Sequence, residues 1–372
     1  MPVQVALQVD QVWFSAPGGI GTYVRELSRA LLDHGGLNLT LFHCRFPEPG
    51  PAWLADFPGL EIPGPIRTLY PQWDLVARPK LPPSFDGFEV IHATNPASVP
   101  PARWDQALVV TLHDLAFEHH PDLFPASWRW LYRAGVHAAV RRAAAILVPS
   151  RATADDLLGR HDLDPARVHV TPLGASLPAT DGDPGPTLDR LGIARPYVLS
   201  VGTQEPRKNL VRLLRAYRQV AHDVPHTLVL VGAPGWGNDE LELEIGRPGP
   251  GKIVRTGHVS SDDLDALYRA ADAFAYLSLY EGFGLPVVEA LERGVPCVVS
   301  NTSSLPEVAG DAALLVDPTD VGEIADAIAK VLTEPGVAAD LRRRGPERAA
   351  RFTWEATARA TLDAYRQVTG AA

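Results

Sequence analysis

The stretch EGFGLPVVE, residues 281–289, sets two carboxylates, Glu281 and Glu289, around a glycine-rich turn and a proline. Carboxylates accept hydrogen bonds from hydroxyls, and glycines let backbone amides come close to an anion. Carboxylate acceptors beside the amides of Gly282, Phe283, Gly284 and Leu285 suit a polyol that carries phosphate, which is the chemistry of a nucleotide sugar. Glu289, placed by its spacing in the first turn of a helix, also reads as a helix-end charge that stabilises by a few tenths to about 1 kcal/mol. That explanation does not extend to Glu281.

Three further stretches carry candidate chemistry. In SVGTQEPRKNL a strand ends, the chain turns at Gly202, and a helix is expected to start near Pro206. Arg207 and Lys208 there oppose the positive end of the helix dipole, as if awaiting an anion; the alternative is two solvated surface charges. In VVTLHDLAFEH, His113 and Asp114 follow an apolar strand. His113 is placed to donate to a sugar hydroxyl or contact a leaving phosphate, or to bond a loop carbonyl; His92 reads as core or as acceptor-side lining. In SAPGGIGTYVREL the glycines Gly18, Gly19 and Gly21 open a helix after the first strand. They bring amides to a phosphate or simply make a tight turn, and the spacing is a poor dinucleotide fingerprint.

These residues need elements to hold them. Short apolar strands alternate with helical patterns along all 372 residues, for example at 19–33, 127–145, 208–222 and 261–271. This alternation predicts parallel sheets covered on both faces. The Pro, Gly and Asp-rich stretch 178–187 is the expected linker between two doubly wound domains, 1–180 and 181–353. Ligands of such sheets bind at the carboxyl ends of the strands, so a cleft between the two is the expected active site. A formal net charge of -10 argues against a nucleic-acid partner. Two distant cysteines fit a reducing compartment, and no run is long and apolar enough to span a membrane, so a cytoplasmic location is expected. The segment 125–145 sets Arg129, Arg133, His137 and Arg141 at helical spacing, a stripe that suits either solvent or peripheral contact with anionic lipid.

SLYEGFGLPVVEALERGVPCVVSNTSSLPEVAGDAALLVDP (278–318) resembles the E-x7-E signature of retaining glycosyltransferases of family 4, which have the GT-B fold. SVGTQEPRKNL is similar to that family's phosphate-binding segment, GGIGTYVREL to its N-terminal loop and TLHD to its histidine position. The resemblance implies two Rossmann-like domains facing a central cleft, acceptor-binding first and donor-binding second. It also implies a closing helix, about 354–372, that crosses back to the first domain. Glu281 would bond the donor sugar, Glu289 the ribose, and Lys208 with Arg207 the diphosphate. Amides of 282–285 and of Gly18 and Gly19 would hold sugar and phosphate, His113 would lie near the sugar, and His258 and Val259 in TGHVS would contact the base. The donor would be a nucleotide-diphosphate sugar, GDP-mannose by the likeness of EPRKN to mannosyltransferases, and the acceptor a glycan, lipid or small molecule. No metal or other cofactor is implied. Thr203 departs from the pattern, since many members carry arginine there. Rival readings are an epimerase or phosphorylase of the same fold, a nicotinamide oxidoreductase, and a non-catalytic binding protein.

Overall fold

The computed structural model describes residues 2–14 and 17–370. The chain divides into two compact units, Met1–Gly174 with Thr353–Ala372, and Ala175–Phe352. The stretch 178–187 is not a free tether. Thr180 donates its N–H (3.1 Å) and its hydroxyl (2.5 Å) to Asp265, and the helix Gly185–Leu191 begins inside it. Its turn-forming residues serve that helix start, with Asp183 accepting from the Gly185 N–H.

The first unit holds a seven-stranded sheet of β1 Val3–Gln8, β2 Leu37–Cys44, β3 Gly59–Ile62, β4 Val90–Ala93, β5 Ala107–Thr111, β6 Ala145–Val148 and β7 Val168–Val170. All pairings are parallel, in the order β3-β2-β1-β4-β5-β6-β7. Its helices include α1 Gly18–His34, α2 Ile66–Val76 and α3 Ala126–Arg142, and it is completed by the final helix Trp354–Thr369. That helix is tied in by the Thr357 hydroxyl, which donates to the Pro172 carbonyl at 2.5 Å.

The second unit repeats the plan with β8 Tyr197–Val201, β9 Thr227–Val231, β10 Ile253–Gly257, β11 Ala273–Tyr276, β12 Cys297–Ser300 and β13 Ala313–Val316, in the order β10-β9-β8-β11-β12-β13. Every residue of β9, β11 and β12 is buried, as strands covered on both faces require. The helix α4, Leu210–Val220, buries Leu210, Leu213, Leu214, Tyr217 and Val220, a helical period laid on the sheet. Two further helices matter here, α5 Ser261–Ala270 and α6 Leu285–Glu292. Strand order reverses between β8 and β11, the switch point where sheets of this kind open a crevice. The segments carrying Arg207 with Lys208, and Glu281, leave those two strands.

Candidate functional site

The two loops at the switch point are laced together. After β8 the chain turns at Gly202, and Pro206–Lys208 form a single 3-10 turn. The expected helix starts later, at Leu210, because Asn209 sits in the left-handed region at φ 57°. There the Asn209 amide reaches the carbonyls of Leu277 (3.0 Å) and Pro318 (2.7 Å). Leu279 in turn donates its N–H to the Arg207 carbonyl at 2.9 Å. These bonds hold 277–280 outside the β ladder, and β11 ends at Tyr276.

This lacing assembles four buried charges. Lys208 Nζ lies 2.5 Å from Glu281 Oε1 and donates to the Tyr276 hydroxyl at 2.8 Å; Tyr276 donates to Glu281 Oε1 at 2.9 Å. Arg207 Nη1 lies 2.7 Å from Glu281 Oε2 and donates to the Tyr280 carbonyl at 2.7 Å, while Nη2 pairs with Glu205 at 2.7 Å. The Glu281 side chain is 9% exposed and those of Arg207 and Lys208 are 13%, so neither cation is a solvated surface charge. Burial pushes the Glu281 carboxyl up, but Arg207 and Lys208 overcome it and hold the group at about 2. Burial lowers the Lys208 ammonium, with Glu281 pulling the other way. The guanidinium of Arg207 is thus engaged by protein oxygens and fixes the second oxygen of Glu281.

The glycine turn is stapled from outside. Ser304 Oγ donates to the carbonyls of Glu281 and Phe283, both at 2.9 Å, and Ser303 Oγ accepts from the Glu281 N–H at 2.9 Å. Gly284 has φ 112°, and a Cβ there would stand 2.7 Å from Leu305 Cδ2. The turn delivers the chain into α6 with Pro286 at the helix start. Phe283 and Leu285 are buried beside it.

Glu289 is the fifth residue of α6, just past the first turn in which the sequence places it, and the first turn carries no acid. The helix-end explanation therefore fails, since that effect fades within one turn. The carboxyl is 7% exposed and accepts from the Tyr268 hydroxyl of α5 at 3.1 Å. Burial raises it to about 7, against the pull of Tyr268 and Arg293. Ser176 also hydrogen-bonds to this carboxyl, and burial outweighs all of these partners. The rings of Tyr268, Phe274 and Tyr276 run in series, centroids 5.5 Å and 5.9 Å apart, joining the hydroxyl on Glu289 to the hydroxyl on Glu281.

In the same unit His258 is exposed and Val259 half-buried, directly after β10. In the first unit, His113 follows β5, and its Nε2 donates to the Thr94 carbonyl at 2.9 Å. The loop-carbonyl bond is thus made. Burial lowers the imidazole, and the neutral ring leaves Nδ1 as an acceptor where a donor role was expected. His92 is wholly buried, with one nitrogen on the Tyr365 hydroxyl (2.6 Å) and the other on Thr111 Oγ1 (2.7 Å); it is a core histidine. Gly18 and Gly19 are exposed at the start of α1, with Gly18 at φ 58°. Gly21 serves the turn, since a Cβ there would strike Pro17 Cβ at 2.4 Å.

Comparison with known proteins decides the family. Residues 17–177 match Glycosyltransferase Family 4 and residues 191–348 match Glycosyl transferases group 1. The chain is 35% identical over 273 residues to O-antigen chain mannosyltransferase B of Escherichia coli, covering 72% of this chain and 71% of that one. The chain belongs to this glycosyltransferase family. It is also 28% identical to the MMP alpha-(1->4)-mannosyltransferase of Mycolicibacterium hassiacum, over 94% and 95% of the two chains. Among solved structures, sucrose-phosphate synthase from Thermosynechococcus elongatus superposes with TM-score 0.75 at 22% identity over 100% of both chains. Anabaena HepE in complex with UDP-glucose does so with TM-score 0.73 at 18% identity, over 99% and 98%. The fold is GT-B, two Rossmann-like α/β domains.

Several residues that shape this glycosyltransferase site escape a reading by motif. Tyr268 and Tyr276 each donate to one glutamate, Asn209 holds the two loops together, and Ser303 with Ser304 fixes the glycine turn. The strand position of Tyr276, two residues after Phe274 on one face, is the only local signal for any of them.

Proposed function

We propose that this glycosyltransferase moves mannose from GDP-mannose to a carbohydrate or lipid-linked acceptor with retention of configuration. The buried cluster of Lys208, Arg207 and Glu281 carries the reading of the donor site. A short ion pair at the end of a glycine loop matches a ligand with a hydroxyl-bearing ring joined to an anion. The sugar hydroxyls take the acceptor oxygens of Glu281, and the diphosphate takes Lys208. Arg207 keeps Glu281 in place and adds its positive field. Glu289 with Tyr268 receives the ribose hydroxyls, and His258 and Val259 flank the base. From the first unit, the Gly18 and Gly19 amides serve the phosphates, and Nδ1 of His113 accepts from a sugar hydroxyl. The mannose assignment follows the names of the two mannosyltransferases above.

In the transfer, the bond from the anomeric carbon to the diphosphate oxygen breaks and the acceptor oxygen bonds to the same face of that carbon. The acceptor's proton passes to the departing phosphate oxygen. Negative charge grows on the diphosphate as this happens, so Lys208 and the loop amides stabilise the transition state more than the ground state. In this reading they supply what a divalent cation supplies elsewhere. No helix among the described residues is long and apolar enough to cross a membrane, and both cysteines are free and buried. The reading assigns the reaction to a reducing, cytoplasmic compartment.

A thermal-shift panel of GDP, UDP, ADP and dTDP tests the donor. GDP is expected to raise the melting temperature most, through binding to the folded state alone. No shift with any of the four would remove the donor site, and a larger shift with UDP would replace the nucleotide.

A further inference from the structure

Between β9 and the helix Asp239–Gly246 the chain reads GAPGWGN, residues 232–238, with Trp236 as its one aromatic side chain. The sheet order fixes where this loop lies. β9 stands between β10 and β8, so the loop leaves the sheet between His258 with Val259, which follow β10, and the 202–208 segment, which follows β8. A nucleotide laid with its base at the first and its diphosphate at the second crosses the end of β9.

The loop stays on that edge because it is paired there. The Gln204 N–H donates to the Ala233 carbonyl at 2.9 Å, and the Gly235 N–H donates to the Gln204 carbonyl at 2.8 Å. This parallel bridge carries the pairing of β8 with β9 past both strand ends. Gln204 is buried, and its side chain secures the same join: Nε2 donates to the Gly232 carbonyl at 3.1 Å, and Oε1 accepts from Arg255 of β10. One residue thus ties β8, β9 and β10 together at the ligand edge.

Trp236 is pinned from both sides. A Cβ on Gly235 would stand 2.6 Å from the Gln204 carbonyl oxygen, and a Cβ on Gly237, at φ 65°, would stand 2.8 Å from Pro206 Cγ. Both neighbours of Trp236 therefore lie against 203–206, and Arg207 with Lys208 come next along that segment. The indole is half-buried. A large ring on a rigid loop, partly open at the carboxyl edge of a parallel sheet, is placed to meet a ligand.

We infer that Trp236 stacks on the base of the donor nucleotide and sets a preference for a purine. The inference rests on the donor site proposed above, which puts the base at one side of this loop and the diphosphate at the other. Stacking of a base on an aromatic side chain is worth about tenfold to a hundredfold in affinity. It grows with the area of overlap, so a purine gains more than a pyrimidine.

Titration of the full chain with GDP, followed by tryptophan fluorescence, tests it without turnover. A stacked purine quenches an indole, so GDP is expected to lower the wild-type emission. Trp236→Phe should remove most of that change and still bind GDP within about threefold, since a phenyl ring also stacks. In calorimetry, Trp236→Ala should weaken GDP by about tenfold or more, UDP by less, and inorganic pyrophosphate not at all. Binding without a wild-type quench, a quench that survives in Trp236→Phe, or wild-type affinity in Trp236→Ala would overturn the inference. So would equal losses of GDP and pyrophosphate, because Trp236 would then only hold the 203–208 segment in shape. An equal loss of UDP and GDP would remove the purine preference. Should Trp236→Ala not fold, the fluorescence of Trp236→Phe still decides. A wild type that binds no nucleotide would instead overturn the donor site, and this inference with it.

Discussion

Glu281 and Glu289 are similarly buried and electrostatically opposite. Held at about 2, Glu281 contributes stability that is present above its ordinary 4.5 and lost as pH falls toward 2. Raised to about 7, Glu289 contributes stability that is complete below 4.5 and lost as pH climbs through 7. Glu289→Gln keeps the shape and removes the proton equilibrium. Between pH 5 and pH 8 the variant should gain about 2–3 kcal/mol relative to the wild type in urea unfolding. Parallel pH profiles for the two proteins would contradict the burial argument. The proposed donor site sets the ribose hydroxyls on the same carboxylate, and on that proposal saturating GDP should shrink the difference. At this scale the sequence made both glutamates visible but not their contrast, which comes from Arg207 and Lys208 reaching one of them and not the other.

The elements around them are held by glycine and by polar side chains, and these differ in how readily they are read. Gly284 before Pro286 marks a strand-to-helix turn from local grammar alone. Asn209 does not, because the carbonyls it holds lie 68 and 109 residues away in sequence. Glu289 falls just past the first turn of α6 for a related reason: Gly284 caps the helix, so counting starts at Leu285 and not at Pro286. Gly284→Ala meets both a positive φ and the Leu305 side chain. It should cost about 1–3 kcal/mol of unfolding free energy and weaken donor binding. Leu305 is itself buried, so a double-mutant cycle isolates the contact. In a Leu305→Ala background the additional cost of Gly284→Ala should be smaller but not zero, because the backbone strain remains. No additional cost in that background would show that sterics alone made glycine necessary.

For the whole molecule, the alternation of apolar strands and helices already specified two parallel α/β units. What tied each unit shut was less legible. The final helix is fastened through Tyr365, whose hydroxyl meets His92, 273 residues earlier. From there Thr111 passes the chain of bonds to Tyr23 on α1, whose ring stands edge-on to His113 at 4.8 Å. No local pattern announces such a network, and His92 alone looks like any histidine in a strand. The central claim is that the second unit binds a nucleotide sugar with Lys208 on the diphosphate and Glu281 on the sugar. Calorimetric titration with GDP and with GDP-mannose separates those roles without an acceptor. Lys208→Ala should weaken both ligands by about tenfold to a hundredfold, the loss of one charge-assisted bond. Glu281→Ala should weaken GDP-mannose alone and leave GDP as tight or tighter, because it frees the Lys208 ammonium. Wild-type affinities in both variants, or equal losses for GDP and GDP-mannose in Glu281→Ala, would contradict the account.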